Sequence, residues 1–209
     1  MVDKYWDMGL KQLGLNCSPE QLNALKQYVD LLERWNKTYN LTAIRNAKDM
    51  ISLHIFDSLI VADLIKGGTC LDVGSGAGLP TIPLAIFQPQ RQFTALDTNG
   101  KKTRFIQQAV IELGLKNVSV VQSRVENWQS EIKFDAIISR AFASIYDFVT
   151  SSSTHLSKDG ILYAMKGQFP DAEMQYLPKG FVLHETYKLD VPFVDGERHL
   201  LVIRTQNDN

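Results

Sequence analysis

The segment Leu71-Asp72-Val73-Gly74-Ser75-Gly76-Ala77-Gly78-Leu79-Pro80 constrains the fold more than any other part of the chain. An apolar run beginning at Cys70 meets three glycines that alternate with small residues. Glycine admits positive φ and lets a ligand approach the main chain closely. Strand, glycine turn and helix start together make a nucleotide-type pocket at the carboxyl end of a sheet. The spacing discriminates between nucleotides. A dinucleotide turn needs its third glycine at position 79, where this chain has Leu79. The G-x-G-x-G pattern, with Asp72 two residues before Gly74, suits S-adenosylmethionine better than NAD. The acid can take the ammonium of the methionine moiety, and there is no pyrophosphate to cradle. Asp72, Gly74, Gly76 and Gly78 are therefore candidate cofactor contacts. Glycine triplets also occur in plain tight loops; the strand before, the helix after and an acid on the next strand distinguish this one.

A chain of 209 residues is one large domain, or one domain with an extension. At that size about 70% of the unfolded surface can be buried. The net charge of −1 gives no bulk attraction to nucleic acid, so any such surface must be local. Cys17 and Cys70 form neither a disulfide framework nor a zinc spacing, and no metal is expected. Cys70 falls in an apolar run and reads as a packed thiol. The opening Met1-Val2-Asp3-Lys4-Tyr5-Trp6-Asp7 is not a signal peptide. The most apolar helical stretch, 55–65, carries Asp57 and Asp63 and is too short to span a bilayer. These features predict a cytoplasmic protein with no membrane partner.

The patterning divides near residue 68. Ser18-Pro19-Glu20-Gln21 combines an N-cap serine, a proline at the first helical position and a capping-box glutamine. Leu22, Leu25, Val29 and Leu32 then recur at helical spacing. A second helix is predicted over 50–65, ending before Gly67-Gly68. Residues 1–67 thus read as a helical extension packed on the rest, residues 68–209. In the latter, strands are predicted at 69–73, 92–97, 118–122, 134–139 and 160–165, and helices at 80–87, 100–113, 144–156 and 171–177. Alternating βα units give a parallel sheet with helices on both faces. Two last strands, 181–191 and 199–204, have no helix between them and should close the sheet as an antiparallel hairpin. The fold class is α/β: a Rossmann-like class I methyltransferase with a mostly parallel seven-stranded sheet and an N-terminal helical extension.

Asp97 ends the second predicted strand, where a carboxylate can accept both hydroxyl protons of a ribose. It could equally cap the next helix. After the third strand, the backbone at Val125-Glu126 should meet the edge of an adenine ring and Val125 pack on its face, or Glu126 is simply a solvated acid.

Several tracts are more particular than the glycine loop: 72–83, Ser123-Arg124-Val125-Glu126, Ile138-Ser139-Arg140-Ala141-Phe142-Ala143, Lys166-Gly167 and Asp195-Gly196-Glu197-Arg198-His199. With Asn40-Leu41-Thr42-Ala43-Ile44 and His54-Ile55-Phe56-Asp57-Ser58-Leu59, they resemble the bacterial RsmG (formerly GidB) family over nearly the whole chain. That resemblance implies methylation of N7 of a guanine in 16S ribosomal RNA with S-adenosylmethionine. The partner would be 16S rRNA or a small-subunit precursor. A monomer is expected, independently of that resemblance. The resemblance carries over Gly74, Leu79, Val125, Glu126 and Arg140 as cofactor contacts. Asp72 and Asp97 rest on the sheet alone. One departure is visible: Thr81 stands where the family usually has glycine after Leu-Pro, which should alter the helix entry slightly without abolishing cofactor binding.

Guanine N7 carries a lone pair and no proton, so no general base is required, unlike an amide nitrogen or a hydroxyl. Arg140, ending the fourth strand, is a candidate for orienting the base through O6 or a phosphate, since N7 itself must stay open; a structural ion pair is the plainer role. Lys166 is a second candidate for orientation and electrostatics, or a solvated lysine. For RNA contact, Lys101, Lys102, Arg104, Arg124, Lys166, Arg198 and His199 form a phosphate-binding rim if they share a face. Lys101 and Lys102 also fit a solvated helix face, and Arg198 and His199 also fit pairing with acids. Phe142 and Phe105 are possible base stackers, although core packing explains both. His54, on an apolar helix, reads as a hydrogen-bonded core histidine. Other classes remain to be separated: an NAD oxidoreductase, disfavoured by Leu79; a non-catalytic ribosome-assembly RNA-binding module; and a methyltransferase acting on a small molecule or protein.

Overall fold

The capping signal at Ser18 is realised as a reciprocal pair of hydrogen bonds. In the computed structural model, which describes residues 2–140 and 142–206, Gln21 N donates to Ser18 Oγ at 3.2 Å. Ser18 N donates to Gln21 Oε1 at 2.9 Å. Met1, and Ala141 of the 138–143 tract, lie outside the described residues. Helix α2 (Pro19–Tyr39) runs from this box to Asn40, which stops it in the left-handed conformation. Leu25, Val29 and Leu32 are buried as the periodicity demands, together with Tyr28 and Leu31. Helix α1 (Val2–Gln12) precedes it, an element the patterning above does not assign; Trp6 and Leu10 form its buried stripe.

The helix predicted over 50–65 forms as a continuous run over 47–59, earlier at both ends than expected and with a π-helical segment inside it. It comprises α3 (Ala47–Met50), a π-helical turn (Ile51–Phe56) and α4 (Asp57–Leu59), followed by hydrogen-bonded turns. Ser52 and Ser58 donate their hydroxyls to the carbonyls of Lys48 and His54. Such back-bonding competes with the regular ladder and bends helices.

The sheet holds seven strands in the order β3-β2-β1-β4-β5-β7-β6. These are β1 (Thr69–Val73), β2 (Gln92–Asp97), β3 (Val118–Gln122), β4 (Phe134–Ser139), β5 (Leu156–Lys166), β6 (Phe181–Lys188) and β7 (His199–Thr205). The first five are parallel, and β7 inserts antiparallel beside β5 with β6 at the edge. Helices α5 (Thr81–Phe87), α6 (Gly100–Glu112), α7 (Ile145–Ser152) and α8 (Asp171–Met174) connect them. Several predicted boundaries shift, and the strand expected over 181–191 ends at Lys188. The helix expected over 144–156 ends at Ser152, and β5 already begins at Leu156 beside Phe134, across a register irregularity. The helix expected over 171–177 is one turn, because Leu177 precedes Pro178 and is biased away from the α region.

The larger apolar cluster joins Trp6, Leu25, Tyr28, Leu32 and Phe56 to Cys70, Ala95, Ile138 and Tyr163 of the sheet. A second cluster covers the opposite face through Ile145, Phe148 and Val149 of α7. Full burial of a large apolar side chain is worth about 1.5–3 kcal/mol. Helices α1 and α2 and the 47–59 segment therefore cover sheet surface that would otherwise face water.

Candidate cofactor and RNA site

The carboxyl ends of β1 and β2 stay paired through Val73 and Leu96 up to the glycine turn, and Gly74, Gly76 and Gly78 all take positive φ there. At Gly78 a Cβ would also lie 2.7 Å from Ile82 Cγ1. Any side chain there is strained and crowded. The turn is pinned from two sides. Gly74 N and Ser75 N donate to Leu96 O at 2.8 and 3.1 Å. From α2, Tyr28 donates its hydroxyl to Ala77 O at 2.6 Å in a fully buried contact. Tyr28→Phe would leave that carbonyl unpaired at a cost of about 1–3 kcal/mol. Its melting temperature should drop by several degrees, since about 1 kcal/mol corresponds to 2–4 °C at this size. An unchanged melting curve would show the contact to be dispensable.

Three cavities run along this edge. The first, of about 320 Å³, is lined by Val73, Gly74, Leu96, Asp97, Thr98, Lys102, Arg124, Val125, Glu126 and Phe142. The second, about 210 Å³, is lined by Leu41, Thr42, His54, Gly74, Ser75, Gly76, Ala77, Leu79, Lys102 and Arg140. The third, about 290 Å³, is lined by Asp57, Arg140, Met165, Lys166, Gly167, Leu189, Arg198 and His199. The first two share Gly74 and Lys102, and the last two share Arg140.

Asp97 faces the first cavity with both carboxylate oxygens engaged by backbone. Gly76 N donates to Oδ2 and Asn99 N to Oδ1, each at 2.8 Å. Each oxygen retains acceptor capacity toward the cavity. The cap of α6 is Asn99, whose side chain accepts from Lys101 N, so Asp97 does not serve as that cap. Val125 is buried and opens a short 3₁₀ turn, while Glu126 is exposed.

Asp72 lies under the turn and lines none of the three cavities. It is fully buried, and Thr81 donates to its Oδ2 through Oγ1 at 2.7 Å and through N at 3.3 Å. Its Oδ1 is buried with no partner. Burial raises its pKa to about 7, against the pull of Thr81 and of the Arg140 guanidinium. Thr81, the departure noted above, thus uses its hydroxyl to hold this acid at the entry of α5.

Arg140 is half-buried. Its Nη1 donates to Asp57 Oδ2 at 2.8 Å and to Leu53 O at 3.5 Å, so the ion-pair role is present. Arg198 Nε reaches the other oxygen of Asp57 at 3.2 Å. Lys166 is tethered and not a freely solvated lysine: Nζ donates to Phe142 O and Ala143 O, with Glu173 at 3.6 Å. His199 is buried, with Nδ1 on Gly167 O at 3.0 Å. The third cavity thus gathers Arg140, Lys166, Arg198 and His199, while Lys102 and Arg124 line the first. Lys101 and Arg104 line none of them and lie on the exposed face of α6. Phe105 is fully buried against Tyr28 and Trp35, and half-buried Phe142 packs on Phe148 at the cavity wall. His54 is buried, with Nδ1 donating to Leu53 O and Nε2 facing the Thr42 hydroxyl at 2.9 Å. Burial, then Arg140, lower its pKa to about 4, so it is neutral near pH 7. Among the described residues, no group of three or more His, Cys, Asp or Glu is placed to hold a metal ion. Nor is any helix long and apolar enough to cross a membrane.

Sequence reasoning assigned no site role to Asp57, Thr42 or Leu41. A buried acid on an apolar stretch was the available signal for Asp57.

Comparison with known proteins bears on what such a site does. The family model GidB, "rRNA small subunit methyltransferase G", matches residues 21–201. A ribosomal RNA small subunit methyltransferase G from Nitrosococcus oceani is 50% identical over 199 residues, 95% of this chain and 92% of that protein. One from Enterobacter sp. (strain 638) is 48% identical over 93% of this chain and 94% of its own. Among solved structures, TrmN from Thermus thermophilus aligns with a TM-score of 0.58 at 17% identity, over 83% of this chain and 53% of its own. M. jannaschii TYW2, solved in complex with AdoMet, aligns with a TM-score of 0.56 at 17% identity, over 72% and 74%. At these identities the structures speak to the fold alone, which is that of Rossmann-like methyltransferases.

Proposed function

From the premise that the chain belongs to the GidB family, rRNA small subunit methyltransferase G, we propose that it methylates N7 of a guanine in 16S rRNA with S-adenosylmethionine. The observation that carries this reading is the run of three neighbouring cavities, sharing Gly74, Lys102 and Arg140 as lining residues, along the carboxyl ends of the strands. The fit to the cofactor is chemical. The first cavity offers an apolar wall at Val125 and the Asp97 carboxylate for an adenosine. The second offers the open turn at Gly74 and Gly76 with Leu79 for the methionine moiety. Asp72 lies beneath the turn, outside the cavity linings, and its buried Oδ1 has no protein partner, so its role toward the ammonium of the methionine moiety is exerted from behind the turn; Gly78 serves by letting the turn pack on Ile82. When bound, the cofactor supplies an electrophilic methyl on a sulfonium.

The chain's own task is then alignment. N7 brings its lone pair and no proton, so the residues need to orient the base and exclude water, not remove a proton. Orientation of this kind can supply about 7–11 kcal/mol. Arg140, common to the second and third cavities, stands between methyl donor and RNA, with Lys166 beside it as an electrostatic support. Lys102, Arg124, Arg198 and His199 are the RNA-facing groups nearest the cavities, with Lys101 and Arg104 extending that surface along α6. We include in the proposal residues 1–67 as an extension on a methyltransferase unit of 68–209, action as a monomer on 16S rRNA or a small-subunit precursor, and work in the cytoplasm.

The test uses small-subunit RNA from cells lacking the protein. Borohydride–aniline treatment cleaves at N7-methylguanine because the methylated ring is cationic and opens. One cleavage site present in wild-type RNA should vanish in the deletion strain and return on complementation. Its persistence in the deletion strain would overturn the proposal.

A further inference from the structure

We propose that Asp57, at the end of the π-helical turn, is a positioning residue that sets Arg140 and Arg198 as a two-armed fork for a phosphate of the RNA strand carrying the target guanine. The inference deepens the methyltransferase reading and rests on it. Its basis is the third cavity. One carboxylate there serves two guanidiniums from distant parts of the chain: Oδ2 to Arg140 at 2.8 Å and Oδ1 to Arg198 at 3.2 Å. Asp57 is 6% exposed, so its charge sits away from water, and a buried carboxylate holds cationic partners firmly.

The charges facing the cavity do not cancel. Arg140, Lys166 and Arg198 oppose the single lining carboxylate, and Glu173, which also accepts from Ile145 N, pairs with Lys166 among these cations. Arg140 commits Nη1 to Asp57 and Leu53 O; Arg198 commits Nε to Asp57 and Nη1 to Glu197 O. Nη2 of both arginines donates to nothing else among the described residues. Guanidinium forks match phosphate oxygens bidentately, and an excess of positive charge in a cleft attracts the backbone of RNA. The π-helical turn explains why the extension delivers this acid. The Asp57 N–H is shared among the carbonyls of Ser52, His54 and Ile55, and Leu53 O turns toward Arg140. A π-turn inside a helix is frequently found at a functional site.

The experiment compares wild type, Arg198→Gln, Asp57→Asn and the double variant, using small subunits from the deletion strain and radiolabelled methyl transfer. Arg198→Gln should raise the KM for RNA about tenfold, the loss expected for a charged hydrogen bond. The slope of log affinity for RNA against log salt should fall by about 0.7–0.9, one phosphate's share. The KM for S-adenosylmethionine should stay within about twofold of wild type, a change under half a kcal/mol. Asp57→Asn should raise the RNA KM and lower the slope in the same way, and the double variant should be no worse than the weaker single, as for residues acting as a unit. If wild type transfers methyl but Arg198→Gln keeps the RNA KM and salt slope, the fork is overturned and the methyltransferase reading stands. If Asp57→Asn only lowers the melting temperature while its RNA KM and slope are normal, Asp57 is structural and the proposal also fails. If wild type itself transfers no methyl to the subunit, both readings fall.

Discussion

In Asp97→Ala protein the affinity for S-adenosylmethionine falls at least several-fold, by on the order of 1–3 kcal/mol, the usual cost of removing one partner from a buried polar contact. Two effects act together. The carboxylate holds the glycine turn to the start of α6 by accepting from Gly76 N and Asn99 N, each at 2.8 Å. It is also the proposed acceptor for the ribose hydroxyls in a cavity of about 320 Å³. A cofactor analogue lacking those hydroxyls separates the two. Wild type should bind the analogue more weakly than the parent, whereas Asp97→Ala should bind both alike. Titration calorimetry gives all four affinities. Unchanged affinity in the variant overturns the ribose role. An equal loss on the analogue in both proteins would assign Asp97 to the turn alone.

The parallel strands were legible because each is a short apolar run bounded by turn residues. The ranges predicted for β1 to β4 coincide with those formed. The hairpin was legible because no helix-length segment separates its strands. What escaped depends on partners far apart in the chain. Asp57 meets Arg140 across 83 residues and Arg198 across 141, so nothing local marks it as more than an acid on an apolar helix. The basic residues illustrate the same limit. Lys101 and Arg104 share a helix with Lys102, yet only Lys102 turns to the cavities, because a helix distributes successive residues over different faces. Thr81 looked like a minor change at a helix entry. Its hydroxyl instead meets the buried Asp72 carboxyl, nine residues earlier, across the turn.

Asp72→Asn should make the cofactor-free protein more stable than wild type at pH 8, and much less so at pH 5. The reasoning rests on burial. Asp72 is fully buried, and its folded pKa is raised to about 7 from an ordinary value of 3.8. The folded state therefore binds the extra proton between about pH 4 and pH 7. Stability from this group is present below the unfolded value and is lost as pH rises through the folded one. The full difference is at most on the order of 4 kcal/mol, at about 1.4 kcal/mol per pKa unit. An asparagine carries no charge at any pH, and its amide oxygen can still accept from the Thr81 hydroxyl. Thermal melts of both proteins across pH 5 to 8 isolate the group, because every other titration is common to the pair. Parallel curves would show that the carboxyl is not held neutral. Cofactor binding gives the complementary sign. If the Asp72 carboxylate is the acceptor for the ammonium, wild-type affinity for S-adenosylmethionine should climb between pH 6 and pH 8 as the acid ionises. The Asp72→Asn protein should bind more weakly and show a smaller climb over the same interval. A wild-type rise that the variant matches would remove Asp72 from the cofactor site and leave it as the buried anchor of Thr81.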